Sequence, residues 1–179
     1  MRFAIAAVGF AALFIAAPAQ AEVASSAAGG FLLRAETEVA TTPERAWRAL
    51  GQVGRWWNDE HTYSGDGARM QVDLRAGGCW CERWEGQSVE HGRVLLIMER
   101  EGVRTLRFAA PLGPLQEMAV NGVLTFTVAP HANGAKITMT YRVSGDPSLN
   151  LDQLAPLVDN VLMEQFGRLS RFSASGSPD

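Results

Sequence analysis

"VLTFTVAPHANGAKITMTYRV" (123–143) alternates apolar and polar residues on both sides of a turn-forming centre. A period of two belongs to a strand with one buried face, and "PHANGA" supplies the proline, asparagine and glycine of a hairpin tip. Folding the stretch on that tip pairs Val128 with Ile137, Phe126 with Met139 and Leu124 with Tyr141 on one face. Thr125, Thr127, Thr138 and Thr140 make the opposite, wetter face, and His131 sits in the tip as a solvated turn residue.

The same period runs upstream from residue 70, and each turn sets a register there. Folding on "RAGG" pairs Leu74 with Cys79 and Val72 with Cys81, and the turn "EGQS" (85–88) then pairs Cys79 with Val94 and Cys81 with Gly92. A three-residue loop, Glu101 to Val103, sets Met98 opposite Leu106 and Leu96 opposite Phe108. One face is thereby expected to gather Met70, Val72, Leu74, Cys79, Cys81 and Val94, then Leu96, Met98, Leu106 and Phe108. Further upstream, 31–40 alternates as a strand through Leu33, Ala35, Thr37 and Val39, and "TTPERAWRAL" opens a helix with Thr42 as cap and Pro43 in its first turn. Gly51 and Gly54 keep that helix short, and 55–67 reads as a further helical turn and a long loop. The chain closes on "LDQLAPLVDNVLMEQFGRLSRF" (151–172), apolar at helical spacing, with Asp152 as cap and Pro156 near the start. Strand, short helices, about six strands and a long helix predict an α+β fold: a curved antiparallel sheet of about six or seven strands on a long C-terminal helix.

Residues 1–21 carry Arg2, an apolar run from Phe3 to Ala17 and the small residues Ala19 and Ala21 in the spacing a signal peptidase reads. They are read as a cleaved signal peptide; the run is short for a membrane span, so no stable anchor is expected after cleavage. Residues 22–30 are read as a flexible lead-in, 31–172 as one domain and 173–179 as a disordered tail. Export from the cytoplasm to the periplasm follows from the leader. The full chain of 179 residues has 16 basic and 19 acidic side chains, a balance that recommends no nucleic acid as partner. Two cysteines are too few to staple a fold, so a core has to hold it.

The element order together with "TTPERAWRALGQVGRWW", "DLRAGGCWCE", "ITMTYRV" and the closing helix resembles the START-like (SRPBCC) superfamily over 31–172, most closely the branch named for the activator of the 90-kDa heat-shock protein ATPase. The resemblance implies a helix-grip fold enclosing an apolar cavity for lipids, sterols or polyketides, with catalysis in only some members. A chaperone activator works in the cytosol beside an ATP-driven machine, so the branch name is not carried over as function. The leading expectation is an exported carrier of a hydrophobic small molecule, without enzymatic activity, cofactor or metal, as a monomer or weak homodimer.

The cavity is expected between the sheet face (Val72, Cys79, Cys81, Val94, Leu96, Phe108, Phe126, Met139, Tyr141) and the helix (Val158, Leu162, Phe166). "AAPLGPLQEMAVNG" (109–122) is apolar yet broken by prolines and a glycine, which suits a lid touching ligand through Leu115 and Met118, or a loop merely packed on the helix. Trp56 and Trp57 cannot both be comfortably exposed, so at least one joins the wall. Tyr141 and His61 are the candidate polar anchors. "HTYSG" also places His61 beside Tyr63 and Ser64, giving a second reading as a cyclase- or hydrolase-like enzyme using His61, against a loop that only hydrogen-bonds itself. His91 falls opposite Glu82 on the outer face, with Trp80 and Trp84, the anchors of a third reading as a protein-interaction module. No phosphate-binding loop or nucleophile elbow is present. For Cys79 and Cys81 the register favours two reduced, buried thiols, because side chains two apart on a strand sit about 6.6 Å apart. A disulfide made possible by a bulge, and a metal claw, remain the alternatives.

Overall fold

A computed structural model describes residues 21–179, so the leader assigned to 1–21 lies outside the described residues apart from Ala21. Eight strands form one antiparallel sheet: β1 (Ala21–Ala27), β2 (Gly30–Val39), β3 (Met70–Val72), β4 (Cys79–Trp84), β5 (Gln87–Arg100), β6 (Val103–Ala109), β7 (Asn121–His131) and β8 (Gly134–Ser144). Their spatial order is β1-β2-β8-β7-β6-β5-β4-β3. Helix α1 (Pro43–Gly51) follows β2, and helix α2 (Leu151–Ser175) ends the chain. The α+β helix-grip architecture expected from the sequence is present, with one strand more than anticipated.

The β7–β8 hairpin keeps the predicted register: Leu124 faces Tyr141, Phe126 faces Met139 and Val128 faces Ile137, all buried. Thr42 caps α1 as expected, accepting the Arg45 N–H at 3.3 Å. The cap of α2 is Asn150 in a left-handed conformation, so Asp152 belongs to the first turn rather than to the cap. Packed on β1, β2 and β8, α2 buries Leu162, Phe166 and Leu169.

Three expectations are corrected. Most of the lead-in assigned to 22–30 is strand: β1 pairs with β2 from Ala21↔Ala35 to Ala27↔Gly30, and Val23 packs on the core. Its small side chains give little alternation, but its backbone satisfies the edge of β2. The tail assigned to 173–179 begins inside α2 and folds back, because the Gly176 N–H closes the helix on Phe172 O at 2.8 Å and Arg171 Nε donates to Pro178 O at 2.7 Å.

The third correction concerns register on the β4 side. The turns are two residues long, Glu85–Gly86 and Glu101–Gly102, all with positive φ, the tight hairpin geometry whose twist matches the strands. Two bulges then restore pairing: Trp80 faces Gly92 while Cys81 faces Glu90, leaving His91 as the extra residue, and Leu95 is extra between Val94 and Leu96. Each bulge shifts the phase of β5 by one, while β4 alternates without a break and is set by its pairing on β3, one residue from the expected register, so Trp80 and Glu82 point inward and the cysteines turn away. Val72 therefore pairs with Trp80, not Cys81; Leu96 pairs with Arg107, not Phe108; Met98 and Leu74 are exposed.

The loop 110–120 is a fixed cover. Tyr141 Oη donates to Ala110 O at 2.8 Å and accepts the Leu112 N–H at 3.2 Å, while Leu115 and Val120 are buried. Tyr141→Phe removes the common partner of both backbone groups, and we expect a loss of about 1–3 kcal/mol in urea unfolding. A loss smaller than the error of the titration would show that the loop is held by its leucines alone.

Candidate functional site

Beyond the reach of α2, the concave side of β4–β6 is filled by aromatic rings. Trp57 meets Trp80 edge-on at 5.0 Å between ring centroids, Trp56 lies 5.7 Å from Trp57, and Phe108 lies 5.4 Å from Trp80. The segment after α1 brings the two tryptophans in, with Trp56 Nε1 donating to Ala49 O at 2.8 Å and Trp57 Nε1 to His61 O at 2.9 Å. Gly92, opposite Trp80, permits the close approach of the cover loop: a Cβ there would lie 2.8 Å from that of Ala110.

Into this apolar wall the bulge turns His91. Its Nε2 lies 2.8 Å from Glu82 Oε2, and the two side chains are 5% and 0% exposed. The Tyr63 and Ser64 N–H groups donate to the same carboxylate. The Tyr63 ring, 53% exposed, leans over the imidazole at 5.8 Å, and the Trp80 ring lies at the same distance. The cover loop reaches the bulge as well, where Gln116 Nε2 donates to Glu90 O at 2.7 Å. Burial pushes the Glu82 carboxyl up, but hydrogen bonds from Ser64, Tyr63 and His91 outweigh it and hold it below the usual carboxylate range. For His91, burial lowers the pKa and outweighs the opposing pull of Glu82. The pair at neutral pH is thus a carboxylate and a neutral imidazole whose Nε2–H it accepts. No protein group among the described residues bonds His91 Nδ1. The Trp80 Nε1–H is buried without a partner, an orphan donor in the same wall.

Of the residues assigned to a ligand site from the sequence, Trp56, Trp57, Val94, Phe108 and Leu115 are buried at this end of the grip, and Met118 and Val72 are half-buried against it. Phe126, Met139, Tyr141, Leu162 and Phe166 are buried beneath or near α2, with Val158 half-buried. Among the described residues these side chains fill the interior, and the two best-formed hollows lie elsewhere, one lined by Arg45, Arg48 and Arg55 and the other by Ser25, Gly30 and Arg142. His61 is elsewhere: its Nε2 lies 3.0 Å from Glu164 Oε2 of α2, half-exposed, and Asn58 Nδ2 donates to the same carboxylate. Tied to the helix surface, it does not open into the grip, and the enzyme reading built on it is removed. Both hydrogen-bonding directions of Tyr141 are spent on the cover loop. Trp80 is 1% exposed and Trp84 half-buried on the same strand face, so the outer-face docking reading is removed too. Glu82 and His91 had been placed outside by a register one residue out. Cys79 and Cys81 form a disulfide directed away from the core, with Cα atoms 5.4 Å apart. Cys81 is buried and Cys79 half-buried, but the two Cα atoms stand closer than the roughly 6.6 Å of a regular strand and the sulfurs are bonded, so the expectation of two free thiols fails.

No family model and no curated protein matches the chain. Solved structures do. A hypothetical protein from Helicobacter pylori superposes with a TM-score of 0.54 at 14% identity, over 78% of this chain and 86% of that one. A Rhodobacter sphaeroides protein gives 0.51 at 16% identity, over 84% and 95%. Norcoclaurine synthase from Thalictrum flavum, a point mutant in complex with a transition-state analogue, gives 0.51 at 13% identity, over 80% and 94%. These likenesses establish the helix-grip fold.

Both members of the buried pair bind a proton less readily in the folded chain than when unfolded, so both contribute stability that acid removes. Stability is expected to fall first as pH drops below about 6.5, the unfolded histidine range, and again below about 4.5 as Glu82 is forced to protonate. Urea midpoints at pH 7.5, 5.5 and 4 check this: His91→Gln should flatten the upper step and Glu82→Gln the lower. Unchanged profiles in both variants would assign the acid sensitivity to other groups.

Proposed function

We propose that the protein is an exported binder of a hydrophobic small molecule, lipid-like or polyketide-like, whose polar head is taken by His91 at the Tyr63 end of the grip. The observation carrying this is the orphan Trp80 Nε1–H beside an imidazole whose Nδ1 has no protein partner. A donor and an acceptor without partners in an aromatic wall match one hydroxyl group on an apolar body, which accepts from the indole and donates to the imidazole. Glu82 fixes the tautomer by accepting at Nε2, leaving Nδ1 as the acceptor. Entry requires the loop carrying Tyr63 to swing outward, since the aromatic rings otherwise occupy the space. The START-like branch named for the heat-shock ATPase activator is retained as a proposal of descent alone, resting on the sequence motifs.

The fluorescent probe 8-anilinonaphthalene-1-sulfonate provides the test. It should bind the native protein saturably, perturb tryptophan emission and be displaced by long-chain alcohols. His91→Gln, if circular dichroism shows it folded, should weaken alcohol binding about 3- to 10-fold, the worth of one hydrogen bond. Failure to bind the probe, or equal alcohol affinity in the variant, overturns this reading. Protein taken from its host should begin at Glu22 by intact mass; a retained leader would overturn export with cleavage.

Acid/base catalysis is a second reading, favoured by the neutral imidazole oriented by a carboxylate. Here His91→Gln would co-purify with a molecule of different mass from that carried by the unaltered protein, and identical cargo would remove the reading.

A further inference from the structure

The Cys79–Cys81 disulfide has no evident structural task. It closes a loop of one intervening residue, the span over which a cross-link restrains an unfolded chain least. It also lies off the core, where Cys79 is half-buried and Cys81 buried. Its neighbourhood is polar and charged. Cys79 Sγ lies 3.9 Å from Glu90 Oε2; Arg93, paired with Cys79 across the ladder, binds that carboxylate and donates from Nη1 to Gly77 O at 2.9 Å. Half-buried Cys79 Sγ is the sulfur an attacking thiolate can reach, with Cys81 buried behind it as the leaving sulfur.

We propose that Cys79–Cys81 is an exchange-active redox site, opened by a dithiol reductant, and that its opening loosens the ladder step opposite His91. In the first step a reductant thiolate attacks the more accessible sulfur, Cys79 Sγ. The Sγ–Sγ bond breaks and its electron pair passes to Cys81 Sγ, which takes a proton from water. The second thiol of the reductant, as its thiolate, then attacks the reductant's own sulfur in the mixed disulfide, and Cys79 leaves as a thiolate that is protonated in turn. Two electrons and two protons have passed from the dithiol, now a disulfide, to the protein, now a dithiol. The coupling to His91 is geometric. The bond holds two Cα atoms at 5.4 Å, and a regular strand carries them about 6.6 Å apart. The disulfide spans the ladder step from Trp80 to Cys81, opposite which His91 is the extra residue. Reduction frees that step to lengthen by about 1 Å, less than the roughly 3.3 Å of one residue, so the bulge stays while the packing around His91 shifts.

This exchange does not depend on the ligand reading, and its test does not use a ligand. The folded protein is incubated with excess dithiothreitol without denaturant, alkylated with maleimide and weighed intact, while 15N NMR follows the His91 ring. Two alkylated cysteines are expected at unchanged far-UV circular dichroism, with a shifted His91 signal that returns on reoxidation. Cys81→Ser should leave Cys79 able to form a mixed disulfide with an aromatic disulfide reagent, whereas Cys79→Ser should leave Cys81 at least tenfold slower. A bond that resists dithiothreitol until the protein unfolds, or an inert Cys79 in Cys81→Ser, overturns the exchange site. Reduction without any change at His91 overturns the coupling.

Discussion

The register of β4 on β3, which sets Trp80 opposite Val72 and Glu82 opposite Met70, is the constraint on which one half of the molecule depends. Side chains on a strand alternate, so one residue of register decides which residues face the core. Here it turns Trp80 and Glu82 inward and places both sulfurs on the far side. Without it, two small thiols would stand where a tryptophan now fills the grip, and the carboxylate would be an ordinary surface group.

The sheet is covered by two different means. Over β1, β2 and β8 lies α2, an apolar contact of Leu162, Phe166 and Leu169 against strands whose inward residues are equally apolar. Over β4–β6 there is no helix, and the covering is assembled from the Trp56–Trp57 segment, the Tyr63 loop and the 110–120 cover. Loops carry backbone polar groups that need partners, so this half also holds the buried acceptor: Glu82 satisfies two loop N–H groups as well as His91. The same carboxylate therefore closes the loop and orients the imidazole.

Most of the architecture was legible because strong periodicity and a short turn leave one register. The β7–β8 hairpin is the example: clean alternation from Gly122 to Ala129 and from Gly134 to Ser144 around a short tip admits no other pairing. The β4–β5 hairpin was not legible for two physical reasons. Its tip, Glu85–Gly86, is shorter than the four-residue turn the sequence suggested, and a bulge leaves no mark in an alternating pattern except the phase shift it causes. Glu82 and His91 were expected as neighbours, and their side chains do meet, but they were put on the wrong side and Glu82 pairs along the ladder with Val89. The apolar Val94 and Leu96 favoured the unbulged register, while the one residue that argued for the other, Trp80, was read as an outer-face docking anchor. Among the site residues, Trp57 was found by bulk and Phe108 by its phase in the alternation, and His61 misled because its loop neighbours looked catalytic while its real partner, Glu164, lies 103 residues along the chain.

A buried carboxylate–imidazole pair is a poor device for stability. Removing two polar groups from water costs several kcal/mol, hydrogen bonds return roughly that, and well-packed apolar replacements for such pairs are often neutral or stabilising. An aromatic wall already holds Trp57, Trp80 and Phe108 together, and aromatic pairs contribute about 0.5–1.5 kcal/mol each beyond their buried area. A leucine and a methionine in place of Glu82 and His91 would serve the core at least as well. What they could not supply is a neutral imidazole with a fixed tautomer, a nitrogen left without a protein partner and an indole donor beside it. The pair, the orphan N–H and the bulge that assembles them make sense together as a polar site kept inside an apolar grip, and separately as none of the things a core requires.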